Sequence, residues 1–251
     1  MSERAIQAVV FDLDNTLTDF VKAKDDAIRA AADAMIDAGL RLPREEAHRR
    51  IYAIYEAEGI EYQRVFDRFL QETTGRVEDR VLAAAVVAYR RARDGSLVLY
   101  PHANKVLNRL ARDGYLLAVV SDAPRFEAWL RLCRLGLHHA FDAVFTHGDT
   151  GLRKPDPGPF RLALAELKVQ PRQAVMVGDW PTRDILGARD HGLHTVYARY
   201  GDKALPYREQ DAREREAAAL ADFVIDDLAE LLDVLAVLNG TSQPAAPGTR
   251  P

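Results

Sequence analysis

Short, unbroken runs of apolar residues punctuate the chain at 8–11 (Ala-Val-Val-Phe), 116–120, 143–145, 174–177, 195–198 and 223–225. Each ends abruptly in polar residues, as a strand buried on both faces does. Many of the stretches between them have readable helix ends. Pro124, Pro157 and Pro181 stand where a first helical residue belongs, a place where the missing N–H costs nothing. Gly136 and Gly192 look like helix-terminating glycines, and Asp113-Gly114 closes the helix that Tyr100-Pro101 opens. Buried strands alternating with helices predict an α/β fold built on a doubly wound parallel sheet.

One segment departs from the alternation. Between about 20 and 94 there are no strand-like runs but four helical ones, at 20–38, 44–57, 61–73 and 78–93. Ile28, Ala31 and Met35, then Val65, Phe66, Phe69 and Leu70, fall at helical spacing. The expected organisation is therefore an α/β core of residues 1–18 and 97–238 with a helical subdomain, 19–96, inserted after the first strand. Asp19-Phe20 and Gly95-Ser96 are the natural hinges between the two. Residues 239–251, rich in Gly, Pro, Ser, Thr and Ala, read as a disordered tail.

Composition narrows the function classes. With 34 Lys plus Arg against 38 Asp plus Glu the net charge is −4, which gives no general affinity for nucleic acid or an anionic membrane. The lone cysteine, Cys133, cannot build an intramolecular disulfide framework, so a reducing cytoplasm is the expected setting. The run at 8–11 is too short for a signal peptide or a membrane span.

The chemistry sits at the strand ends. Asp12 and Asp14 follow the first strand, Ser121 and Asp122 the second, Lys154 comes shortly after the third and Asp179 follows the fourth. Ligands of open α/β sheets bind beyond the carboxyl ends of the strands, near the point where strand order reverses. Such a crevice would collect carboxylates, a hydroxyl and an ammonium, a set suited to a phosphate dianion held with a divalent metal. Oxygen-only ligands select magnesium over zinc. Taken singly, each piece also has an ordinary explanation: a polar turn at Asp12-x-Asp14, a helix cap at Ser121, a solvated lysine at 154. A helix-loop-helix calcium loop is excluded, because Leu17 and Ala23 stand where its glycine and closing glutamate belong.

As a set, these residues resemble the motifs of the haloacid dehalogenase superfamily, on its phosphatase branch with a helical cap after the first motif (subfamily I). Phe11-Asp12-Leu13-Asp14-Asn15-Thr16-Leu17 is similar to the first motif, Ser121 to the second and Lys154-Pro155-Asp156-Pro157 to the third. Gly178-Asp179 with Asp184 is similar to the acidic fourth motif. The resemblance implies a Mg²⁺-dependent phosphatase of a small phosphorylated metabolite, working through an aspartyl-phosphate. Asp12 would be the nucleophile and Asp14 the general acid and base. Ser121 and Lys154 would bind the phosphoryl oxygens. Asp12, the Asp14 main-chain carbonyl, Asp179 and Asp184 (through water) would hold the metal. A phosphomutase, a dehalogenase or an inactive scaffold of the same fold are the alternatives, and Asp14 and Asp179 argue against the dehalogenase.

Two positions depart from the pattern: Asp122, where Asn is common, and Trp180-Pro181, where a small hydroxyl residue is. The Asp122 backbone N–H is expected to meet the phosphate. Its carboxylate should turn away, to the helix beginning near Pro124, to Arg125 or to Arg153. Trp180 reads as packing or a pocket wall. Specificity is expected from the cap, with Tyr52, Tyr55, Tyr62, Arg49, Arg64 and Arg68 as unranked contacts for a sugar phosphate or a short-chain acid or aldehyde phosphate.

Overall fold

A computed structural model describes residues 4–203 and 212–241. The chain runs β1 (Ala8–Phe11), α1 (Phe20–Asp37), α2 (Arg44–Glu58), α3 (Val65–Thr74), α4 (Asp79–Ser96), α5 (Ala103–Arg112), β2 (Leu116–Ser121), α6 (Arg125–Arg134), β3 (Ala143–Thr146) and α7 (His147–Thr150). It continues with α8 (Pro157–Leu167), β4 (Ala174–Gly178), a π-helical turn (Pro181–Ile185), α9 (Leu186–Asp190), β5 (His194–Ala198), α10 (Ala212–Ala219), β6 (Phe223–Ile225) and α11 (Leu231–Leu238). The six strands form one sheet in the order β3-β2-β1-β4-β5-β6, with every pair parallel. This is the doubly wound α/β sheet expected. The order reverses between β1 and β4, so the crevice for a ligand opens beyond Phe11 and Gly178.

Alternation within β1 feeds two cores. Val9 and Phe11 pack with Val106 and Leu110 of α5 and Leu231 of α11 on one face. Ala8 and Val10 pack with Phe160 and Ala163 of α8 on the other. Both faces of the strand are thus dry, which is why its sequence is a continuous apolar run. Helices α1 to α4 have a core of their own around Ile28, Met35, Ile51, Phe66, Phe69 and Val81. No helix among the described residues is long and apolar enough to cross a membrane.

Three local differences from the sequence reading matter. First, α4 runs through Gly95 and Ser96 instead of breaking there. The crossing from insert to core is made by Val98 and Leu99, which lie antiparallel to Thr18: Asp19 N donates to Val98 O (3.2 Å), Thr18 Oγ1 to the same carbonyl (2.6 Å), and Tyr100 N to Leu17 O (2.9 Å). Second, α3 starts at Val65, not 61. Gly59, at φ +92°, ends α2, and 59–64 become a loop instead of a helical turn. Third, the tail expected from 239 does not begin there. Asn239 accepts from Ile6 N (2.9 Å) and donates to the Tyr115 hydroxyl (2.9 Å), tying the last turn to the first strand's approach. Residues 242–251 of that expected tail lie outside the described residues.

The strand-end loops are pressed together at Gly201, in the short turn after β5. A Cβ there would fall on the Asn15 carbonyl and 2.9 Å from the Asp179 Cβ. Overpacking of this kind costs about 1–3 kcal/mol. Gly201→Ala should therefore lower the unfolding free energy by that amount, read as a lower urea midpoint at unchanged slope, and an unaltered midpoint would show that the loops have room to spare.

Candidate active site

Asp12, Asp14, Ser121, Asp122, Lys154, Asp179 and Asp184 all line one cavity of about 530 Å³ at the carboxyl edge of the sheet. Its floor is a charge cluster. Lys154 Nζ lies 2.5 Å from Asp12 Oδ1 and 2.6 Å from Asp184 Oδ1, and all three side chains are buried. Burial works against the Lys154 ammonium, yet Asp12, Asp184 and Asp122 together hold it above the usual lysine range. Burial pushes the Asp12 carboxyl up, and the Lys154 ammonium pulls it back.

The cluster is held by backbone and side-chain bonds from each strand end. Trp180 N donates to Asp184 Oδ2 (2.9 Å), and Thr16 Oγ1 to Asp179 Oδ1 (3.2 Å). Gly178 has no Cβ for a reason: one would overlap the Asp184 side chain. Ser121, the last residue of β2, accepts from Ala123 N at 3.2 Å, the local turn bond that a strand-end serine favours. Asn15 sits at φ +63°, a conformation asparagine tolerates, and its side chain accepts from Val21 N (3.0 Å) at the start of α1.

Asp12, Asp179 and Asp184 each offer an oxygen within 4.8 Å of the others, all buried. Three clustered carboxylates, two of them paired with one ammonium, leave excess negative charge in a buried site, and oxygen-only donors match a hard divalent cation. The residues therefore fit magnesium. The Asp14 side chain is not in this trio. It turns instead to Arg131 on α6, 3.3 Å from its Oδ2, and burial pushes its carboxyl up to about 6 against the pull of that guanidinium.

Asp122 does turn aside, but not to the groups expected. Its Oδ1 accepts the Lys154 backbone N–H (2.9 Å) and its Oδ2 pairs with Arg183 (3.2 Å). The third motif's loop crosses directly over the second motif, so the nearest donor is an N–H 32 residues away rather than the following helix. Trp180 is a cavity wall, its indole N–H donating to Glu214 (2.9 Å) and its face covered by Arg183 at 3.7 Å.

Of the cap contacts left unranked, Tyr55 and Tyr62 reach the cavity. Tyr52 donates instead to Asp25 (3.1 Å) in the cap interior. Arg49, Arg64 and Arg68 pair with Glu46, Asp67 and Glu72 on the helix surfaces. Sequence reasoning missed Glu61, Arg131 and Arg183, and it named Arg153 only as a partner for Asp122, whereas Arg153 lines the cavity. Arg131 had a signal: it occupies the apolar stripe Ala128–Leu132–Leu135 of α6, where a charge needs a buried partner.

Residues 6–192 match the family model of haloacid dehalogenase-like hydrolases. The chain belongs to that family. It is 38% identical over 232 residues to a glyceraldehyde 3-phosphate phosphatase of Methanopyrus kandleri, covering 92% of this chain and 97% of that protein. A protein of the same description from Pyrococcus furiosus is 33% identical over 240 residues, covering 96% and 97%. In fold the chain is similar to a phosphatase of this family from Thermococcus onnurineus (TM-score 0.65, 24% identity, 92% and 98% covered). This haloacid dehalogenase-like hydrolase is a phosphoric monoester hydrolase.

Because Asp122 orients Lys154 through an acceptor oxygen, Asp122→Asn should keep kcat/KM for phosphate release within about tenfold, roughly 1.4 kcal/mol, of the parent. Asp122→Ala removes the acceptor and should lose distinctly more. Steady-state kinetics of the pair checks this; equal losses would assign the role to charge instead.

Proposed function

We propose that the enzyme hydrolyses a small phosphorylated metabolite by forming an aspartyl-phosphate on Asp12, with Mg²⁺ as its metal. The observation that carries the reading is the buried cluster in which Lys154 bridges Asp12 and Asp184 beside Asp179. One Asp12 oxygen is held by Lys154, which fixes the carboxylate for attack on phosphorus. Lys154 and Ser121 then receive the equatorial phosphoryl oxygens, where negative charge must be stabilised. Asp14 gives a proton to the departing oxygen and later removes one from the water that cleaves the acyl phosphate. Magnesium held by Asp12, Asp179 and Asp184 would neutralise the carboxylates and the incoming phosphoryl charge. A phosphomutase would share the first half of this scheme but needs a second phosphate acceptor, and free phosphate release separates the two.

For the substrate, the charge of the cavity favours an uncharged body. The cavity's cap-side lining contributes Tyr55, Tyr62, Glu56, Glu58 and Glu61 and, among the described residues, no cation. A second anionic group on the substrate would meet those carboxylates and be disfavoured by them. A phosphorylated short-chain aldehyde or polyol fits, and the two archaeal relatives named for glyceraldehyde 3-phosphate support the aldehyde.

Phosphate release from 4-nitrophenyl phosphate should vanish on chelation and return with Mg²⁺. Asp12→Asn should be folded and without turnover; undiminished turnover would remove Asp12 as nucleophile. In a metabolite panel, glyceraldehyde 3-phosphate should exceed carboxylated and bisphosphorylated esters in kcat/KM. A preference for the doubly charged esters would contradict the charge argument.

A further inference from the structure

Arg131 is 6% exposed, on a helix that carries none of the strand-end residues. Its guanidinium meets three groups. Nη1 lies 3.3 Å from Asp14 Oδ2, Nη2 donates to Glu61 Oε1, and the plane covers the Phe20 ring at 4.4 Å. Phe20 opens α1, and Glu61 lies on the loop between α2 and α3 that overhangs the cavity. One buried cation thus touches the core, the start of the insert and the loop over the site.

Such an arginine could serve only as glue between core and insert, and the Asp14 carboxylate argues for more. Its Oδ2 is fixed by charge toward Arg131. Its Oδ1 is buried, lies on a residue that lines the cavity, and has no hydrogen-bond partner among the described residues. The contact to Arg131 is an ion pair without an aligned hydrogen bond, since Nη1 makes none, whereas Nη2 is bonded to Glu61. Glu61 and Phe20 therefore fix the guanidinium plane, and its remaining edge sets the carboxylate's rotation. A planar fork can do this between two carboxylates; a lysine on a flexible stem cannot.

We propose that Arg131 is the positioning residue of Asp14, and that Glu61 on the cap loop fixes Arg131 in turn, so that the loop covering the substrate aims the proton donor. The proposal rests on Asp14 being the acid of the reaction proposed above. In that step the Asp12–phosphorus bond forms as the ester P–O bond breaks. The bond's electron pair goes to the leaving oxygen, and the proton on Asp14 Oδ1 follows it. Aim matters most when the leaving group is basic and cannot depart without that proton. It matters least for a leaving group stable as an anion.

The test compares phenyl phosphate with 4-nitrophenyl phosphate, two esters of similar shape whose leaving phenolates differ in basicity. Their kcat/KM values report the steps through leaving-group departure. Arg131→Lys should lower the phenyl to 4-nitrophenyl ratio of kcat/KM by about tenfold or more, within the range of a positioned proton donor. Glu61→Gln should move the ratio the same way by less. The double variant should be no worse than Arg131→Lys alone, because the two residues act in series. Urea midpoints accompany the kinetics; if Arg131→Lys fails to fold, the ratio in Glu61→Gln decides. Equal falls on both esters, or no change in the ratio, would overturn the proposal and leave Arg131 as a structural tie. A wild-type enzyme that releases phosphate from neither ester would instead overturn the phosphatase reading itself.

Discussion

The site depends on placing one ammonium among three carboxylates in a space nearly closed to water. Lys154 lies 2.5 Å from Asp12 and 2.6 Å from Asp184, and each is buried. Removing an ion from water costs several kcal/mol, and mutual attraction offsets this only where the geometry is fixed in advance. The sheet supplies that geometry. β1 and β4 are neighbours in register, Phe11 opposite Val177, so Asp12 and Asp179 leave the sheet side by side. Lys154 arrives from beyond β3, and its backbone is held by Asp122 from the end of β2. Asp12 follows β1, Lys154 follows β3, and Asp179 and Asp184 both follow β4, so three strands deliver the four charges.

The same constraint explains features with no chemistry of their own. Gly178 and Gly201 are positions where a methyl group would press on Asp184 or on the Asn15–Asp179 contact. Asn15 accepts a left-handed conformation so that the chain can turn from Asp14 into the insert while its side chain bonds to the first turn of α1. Strain and tight packing gather around the cluster because the cluster tolerates little displacement.

The sheet and the strand-end residues were legible in the sequence because parallel strands buried on both faces leave continuous apolar runs. The polar residue that ends each run marks the edge where ligands bind. Ile28, Met35, Phe66 and Phe69 were legible as a helical core for a related reason: their spacing records the packed face. Partners distant in sequence were not legible. For the Asp122 carboxylate the sequence reading offered the following helix, Arg125 or Arg153, whereas tertiary packing brought the Lys154 N–H and Arg183. Residues 61–64 carry helical propensity, yet a glycine at φ +92° and the pull of Arg131 on Glu61 make them a loop. Propensity is worth tenths of a kcal/mol per residue, and a buried ion pair with a hydrogen bond outweighs it.

That loop links the cap to the chemistry by electrostatics as well as by shape. The cap side of the cavity carries Glu56, Glu58 and Glu61, whereas its cations, Arg153, Lys154 and Arg183, all stand on the core side among the strand-end aspartates. On the reading proposed above, a phosphoryl group bound at the core would direct the substrate's body toward the cap's carboxylates, which favour hydroxyl and carbonyl groups over an anion. Of those acids, Glu58 pairs with Arg68 and Glu61 with Arg131. Two of the three acids are therefore held in place by partners of their own. Glu61 alone has its partner in the core, against Asp14. Through Arg131 that ion pair carries the position of the loop over the cavity to the Asp14 carboxylate.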